Sequence, residues 1–170
     1  MGRSGAVEYG CSTVNKMELN ETTEPTYYNS LYLHGVDAKR RVQIPAKWRP
    51  AKPGTELTLV LWPKAKEGPC VRVLPPQQIA KLMRDVDAMP NTDSNKVVLK
   101  RFIGSESVQV TLDKAGRICL PEKMARDAGL GEEAVLVGLL DRFEIWSSER
   151  YEKVKASDAI MAQEAFKLME

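Results

Sequence analysis

A nine-residue pattern occurs twice in this chain, with starting points 76 residues apart. The first copy reads Asp37-Ala38-Lys39-Arg40-Arg41-Val42-Gln43-Ile44-Pro45 and the second Asp113-Lys114-Ala115-Gly116-Arg117-Ile118-Cys119-Leu120-Pro121. Each has an Asp, an Arg four residues on and a Pro four beyond that. Between Arg and Pro, apolar residues alternate (Val42 and Ile44; Ile118 and Leu120), a period of two that predicts a short strand with one buried face. A period of this size points to duplicated domains, since solenoid units repeat every 20–50 residues or so.

The flanks repeat as well. An alternating segment precedes each copy: Leu31 and Leu33 in the first, Val108, Val110 and Leu112 in the second. After each comes a short helix-compatible stretch and an apolar run, Leu57 to Trp62 or Val135 to Leu140. A last strand, Val71 to Leu74 or Phe143 to Trp146, then leads into a helix. The first strand of the first unit is expected over Tyr28 to Val36.

Within the pattern, Lys114-Ala115-Gly116 reads as a turn, with Gly116 free to take positive φ. Asp113 can accept backbone N–H groups across it, and Arg117 can brace that carboxylate. Pro121 suits the start of a short helix, Glu122 to Ala128, that Gly129 ends. Pro45 opens a shorter one, Ala46 to Arg49. A hairpin held by an Asp–Arg pair is a sufficient structural reading of Asp37 with Arg41 and of Asp113 with Arg117.

The two patterns, the apolar run containing Gly138 and the Phe143-Glu144-Ile145-Trp146 segment resemble the MraZ family, from roughly Tyr28 to Met169. The resemblance implies a bacterial transcriptional regulator linked to the division and cell-wall gene cluster. It implies an α+β fold of two tandem SpoVT/AbrB-like swapped-hairpin β units, forming a pseudo-twofold β-barrel-like core with flanking helices. Expected segments are a disordered extension over 1–27, a first DNA-facing domain over 28–77, a helical bridge over 78–104, a second domain over 105–148 and a C-terminal helix over 149–170. The family has Gly where this chain has Arg40, a residue that takes positive φ poorly. This turn is therefore expected to carry strain or change shape. Family members generally begin near the first strand, so residues 1–27 are a departure, and Met17 could be an alternative start.

Charge separates the two units. Residues 31–77 hold nine basic and three acidic side chains, net +6, whereas 1–30 and 78–170 are each net −2. A concentrated basic surface suits a polyanion. The DNA-binding candidates are Lys39, Arg40 and Arg41 in the first turn, with Lys47 and Arg49 behind it. Contacts of this type to phosphate give salt-dependent affinity with little sequence preference. The resemblance implies a DNA role for Arg41, while the residues alone also allow it to brace Asp37. Asp37, Pro45, Asp113, Gly116, Arg117 and Pro121 are assigned to structure. The resemblance further implies double-stranded promoter DNA with direct repeats as partner, a homo-oligomeric ring, and repression of the chain's own gene cluster.

Other chemistry has little footing. No phosphate-cradling Gly loop and no C-x-x-C occur, and a serine hydrolase would have to use His34, the one histidine. Metal, cofactor and catalysis are therefore not expected. Cys11, Cys70 and Cys119 are odd in number and far apart, which suits a reducing cytosol. Cys119 is read as a small packing residue, facing opposite to Ile118 and Leu120. The composition is that of a soluble domain, 43% apolar, with no run long enough for a membrane span. The expected location is cytoplasmic and nucleoid-associated. Gln77 to Met89 is expected as a helix with Ile79, Leu82, Met83 and Val86 on one stripe, followed by a second helix, about Asn95 to Ile103, capped by Ser94. Tyr151, Val154, Met161, Ala165 and Leu168 make a stripe on the last helix. An antitoxin-like protein-interaction module, with that helix as the partner-binding segment, is the alternative function.

Overall fold

The computed structural model describes residues 26–63 and 66–170. Thirteen elements follow one another among the described residues: β1 (Leu31–Gly35), β2 (Arg41–Gln43), a 3-10 turn (Ala46–Trp48), β3 (Leu57–Trp62), β4 (Cys70–Leu74), α1 (Pro76–Asp87), α2 (Ser94–Ser105), β5 (Ser107–Val110), β6 (Arg117–Cys119), α3 (Glu122–Asp127), β7 (Glu133–Gly138), β8 (Phe143–Trp146) and α4 (Ser148–Lys167). The expected extension lies outside the described residues except for Thr26 and Tyr27, and Met17 and Lys64 lie outside them too.

Six strands form one antiparallel sheet in the order β1-β7-β8-β4-β3-β5, and β2 pairs with β6 in a separate ribbon. Among these pairs, β3–β4 and β7–β8 each stay within one repeat. The pairs β1–β7, β4–β8, β3–β5 and β2–β6 all join the first half of the chain to the second. The strand order reads the same from either end once the repeats are exchanged, which is a pseudo-twofold axis between β4 and β8. The sheet has free edges at β1 and β5, so the expected barrel-like closure is not found among the described residues. Two hydrogen-bonded ladders meet at a corner here instead, where Val36 bridges to Val42.

One core lies between sheet and ribbon. Val42, Ile44, Trp48, Leu57, Leu59, Val71 and Val73 come from the first repeat, and Ile118, Leu120, Leu136, Phe143 and Ile145 from the second, all fully buried. Two-residue alternation puts Val42 and Ile118 face to face across the ribbon. The first strand behaves differently from its pattern. Tyr32 packs inward, with its ring 5.2 Å from Trp48, while Leu31 and Leu33 are 46% and 58% exposed. Apolar identity misleads there because the aromatic ring fills the core better than either leucine.

The helices follow their caps. Asp93, not Ser94, accepts the first free N–H of α2, from Asn95 at 2.9 Å. That helix runs through Gly104 to Ser105, beyond the expected end. Ser147 caps α4 by accepting from the Arg150 N–H, and Gly129, at φ +68°, follows α3. Trp48 is core, whereas Trp62 is half-buried under the Arg72 guanidinium, 4.0 Å from its ring. Arg72 also pairs with Glu144 at 3.0 Å, so this cation is internally neutralised.

Candidate nucleic-acid interface

The two nine-residue patterns fold into the same turn. In the first, Asp37 Oδ1 accepts the backbone N–H groups of Lys39 (2.9 Å) and Arg41 (2.8 Å), and Arg41 Nε donates to Asp37 Oδ2 at 2.6 Å. In the second, Asp113 Oδ1 accepts from Ala115 and Arg117, each at 2.9 Å, and Arg117 Nε donates to Asp113 Oδ2 at 2.9 Å. The four-residue spacing is what this geometry needs: the carboxylate closes the turn with one oxygen and holds the guanidinium with the other.

Both carboxyls are held below the usual carboxylate range. The backbone N–H of Arg41 is the largest cause for Asp37, and that of Arg117 for Asp113. A depressed folded-state pKa means stability that is present above the unfolded value, about 3.9, and is lost as pH falls through the lower folded value. Replacing Asp37 and Asp113 together by Asn should therefore lower the melting temperature at pH 7 and flatten its decline below about pH 4. Thermal melts from pH 7 to pH 2 check this. A variant with an unchanged acid limb would mean that these carboxylates do not contribute to the pH dependence.

Arg40 and Gly116 occupy equivalent places. The Leu120 N–H donates to the Arg40 carbonyl and the Ile44 N–H to the Gly116 carbonyl, each at 2.9 Å. The chain is left-handed at both, with φ +58° at Arg40 and +76° at Gly116. The turn therefore keeps its shape despite the arginine, and carries the backbone strain of a side chain in that region, about 1–2 kcal/mol. Arg40 offsets part of it by donating Nε–H to the Leu120 carbonyl at 3.0 Å. Arg40→Gly should be close to neutral, within about 1 kcal/mol by denaturant titration, because relieved strain is set against a lost hydrogen bond and glycine's entropy.

The cations do not form one cluster. Lys39 and Lys47 are exposed, and Arg41 is half-exposed beside Asp37. Arg49 instead turns to the far end of the ribbon. Its Nε donates to the Ile44 carbonyl at 3.0 Å, and its guanidinium lies where a Cβ on Gly116 would sit. There it shares a shallow hollow with Lys52, Asp113 and Lys114. Pro45 and Pro121 stand at the N-caps of the 3-10 turn and of α3. Cys119 is exposed rather than packed, with Sγ 3.3 Å from the Lys39 carbonyl.

Sequence reasoning places Arg117 apart from the first turn. The structure brings its Nη1 to 4.0 Å from Asp37 Oδ2, and Gln43 Nε2 donates to the Ala115 carbonyl at 2.8 Å. Both patterns are thus two ends of one ribbon. The signal is the repeat itself, but only once its strands are known to pair across the halves.

Comparison with known proteins agrees with this architecture. Residues 103–167 match a family model described as "MraZ protein, putative antitoxin-like". A protein of Rickettsia akari called "Transcriptional regulator MraZ" is 32% identical over 142 residues, which is 82% of this chain and 94% of that protein. Proteins of the same name from Lactiplantibacillus plantarum and Halothermothrix orenii are 32% and 34% identical, over 74% and 71% of this chain and 86% and 80% of their own lengths. Matches of this extent reach through both repeats and the ribbon they build, and on them the chain belongs to the MraZ family.

Proposed function

We propose that this protein is a DNA-binding transcriptional regulator that acts on the promoter of its own division and cell-wall gene cluster as a repressor. The observation that carries this reading is the β2–β6 ribbon, in which two copies of one Asp–Arg turn are fixed by backbone hydrogen bonds and leave Lys39 and Lys47 exposed with Arg41 beside them. A rigid turn that presents cations is suited to phosphate, and a braced Arg41 keeps guanidinium N–H groups for a second acceptor. The relatives' name supports the regulatory role. The cross-paired repeats support tandem units of the SpoVT/AbrB swapped-hairpin kind. One such ribbon gives weak, salt-sensitive binding, so a homo-oligomer that sets several ribbons on adjacent direct repeats supplies the affinity. The site of action is the cytoplasm, at the nucleoid. No helix among the described residues is long and apolar enough to cross a membrane.

The test is fluorescence anisotropy with duplex DNA from the region upstream of the gene, at several salt concentrations. Lys39→Ala with Lys47→Ala should weaken binding and reduce the log–log salt slope by about two, roughly 0.9 for each phosphate left without its cation. Arg41→Ala should weaken it further. Because that change also frees Asp37, its melting temperature is measured alongside. An unchanged slope in the double variant would overturn the assignment.

A further inference from the structure

Two apolar surfaces among the described residues are unpartnered, and they differ in shape and charge. The first is a groove of about 360 Å³ between α1, α2 and the free β5 edge of the sheet, floored by Ile79, Leu82, Met83, Val86 and Ile103. Met83 is 60% exposed in it. The ion pair Lys100–Asp87, at 2.7 Å, ties the two helices together at its rim, so the groove has a fixed width. The second is the far half of α4. Its first turns are anchored: Val154 is buried, and Arg150 Nη1 donates to the carbonyls of Pro69 and Asp127. Beyond Ser157 the helix leaves the body. Met161, Ala165, Leu168 and Met169 then form a stripe at i, i+4, i+7 and i+8, with Met161 65% and Leu168 87% exposed.

We infer that the α4 tail of one copy docks in the α1–α2 groove of the next. Charge chooses a second copy as the occupant. The helices α1 and α2 carry Lys81, Arg84, Lys96, Lys100 and Arg101 against Asp85 and Asp87, net +3. The tail from Asp158 to Glu170 carries Asp158, Glu164 and Glu170 against Lys167, net −2. An apolar helix face in an apolar groove, with opposite charges around it, is a helix-in-groove contact. The same chain cannot satisfy itself easily. α4 packs on β7, next to the β1 edge, whereas the groove lies at the β5 edge at the other end of the strand order. The exposure of the tail shows it undocked in the single chain. Because tail and groove are different surfaces, the contact is heterologous: each copy gives a tail and receives one, and the assembly closes as a ring or grows as a filament. This deepens the homo-oligomer reading above and rests on it.

Sedimentation velocity of the full chain, without DNA, tests the contact separately from any DNA role. Met161→Glu with Leu168→Glu disables the tail, and Met83→Glu disables the groove. All three positions are largely exposed, so the fold is kept, and far-UV circular dichroism verifies it. Each variant alone should move the association midpoint at least about tenfold higher in protein concentration. An equimolar mixture of the two should then form a species of two chains and stop there, since one intact tail meets one intact groove. Unchanged assembly in either variant overturns the inference, as does a mixture that stays monomeric or a wild-type chain that does not associate. DNA binding that fails in a variant whose assembly is intact would count against the ribbon and leave this contact standing.

Discussion

Trp48→Ala should destabilise the fold by about 3–5 kcal/mol, the range for removing a fully buried aromatic. Trp48 has no exposed surface. Its ring centroid lies 4.9 Å from Phe143, 5.2 Å from Tyr32 and 5.9 Å from Tyr28, the last two edge-on. Its Nε1–H donates to the Asn29 carbonyl at 3.1 Å. The cluster joins β1, the 3-10 turn and β8, so it sits between the repeats and not inside one of them. Truncation opens a cavity walled by three rigid rings, which collapse poorly, and leaves a carbonyl without its donor. At about 2–4 °C per kcal/mol for a chain of this size, the melting temperature should fall by roughly 6–20 °C. Trp48→Phe should recover most of the packing and none of the hydrogen bond. Urea titration at fixed protein concentration measures both, the fixed concentration being needed because self-association adds to apparent stability. A loss under about 1 kcal/mol for Trp48→Ala, below the usual range for an aromatic, would show that the two halves are not held through this ring.

What the sequence disclosed follows the range of the interactions involved. Asp37 and Asp113 bond to groups within four residues, so spacing alone was enough to read the turns. Helix stops and strand runs are equally local, and most lie within a few residues of their expected bounds. Pairing is not local. Nothing in the composition of β1 says that it joins β7 instead of its own repeat's β3, and that choice sets the pseudo-twofold, the free edges and the open sheet. The outward turn of Leu31 and Leu33 has the same origin, because the face that Tyr32 takes depends on where Trp48 lies. Among the site candidates, Lys39 and Arg41 stay where their neighbours in sequence put them. Arg49 does not, since its partner is the Gly116 of the other repeat, 67 positions away. A first-repeat charge count therefore overstates the cation available at the first turn. Arg72 bound to Glu144 and Arg49 laid over Gly116 belong to the body of the protein.

Gly138→Ala should cost about 1–3 kcal/mol or more, the usual penalty of an added methyl with no room for it. A Cβ at Gly138 would come within 2.6 Å of the Tyr28 carbonyl carbon and 2.9 Å of Asn29 Cα. These are backbone atoms in a fixed ladder. The Tyr28 and Leu140 N–H groups each donate to the other's carbonyl at 2.8 Å, and the Gly138 N–H donates to Ser30 at 3.0 Å. Relief requires moving the strand start that carries Tyr28 into the Trp48 cluster, so the strain passes to the core. Gly116→Ala offers the contrast. A Cβ there meets the Arg49 side chain, with Nη1 at 2.7 Å, and the backbone is also left-handed at φ +76°. A flexible guanidinium can be removed, so Arg49→Ala should restore part of the Gly116→Ala loss and leave the conformational remainder, about 1–2 kcal/mol. The double-mutant cycle should thus show coupling between Gly116 and Arg49. The same Arg49→Ala change should leave the Gly138→Ala loss intact and additive, because no side chain stands between that methyl and the chain it strikes.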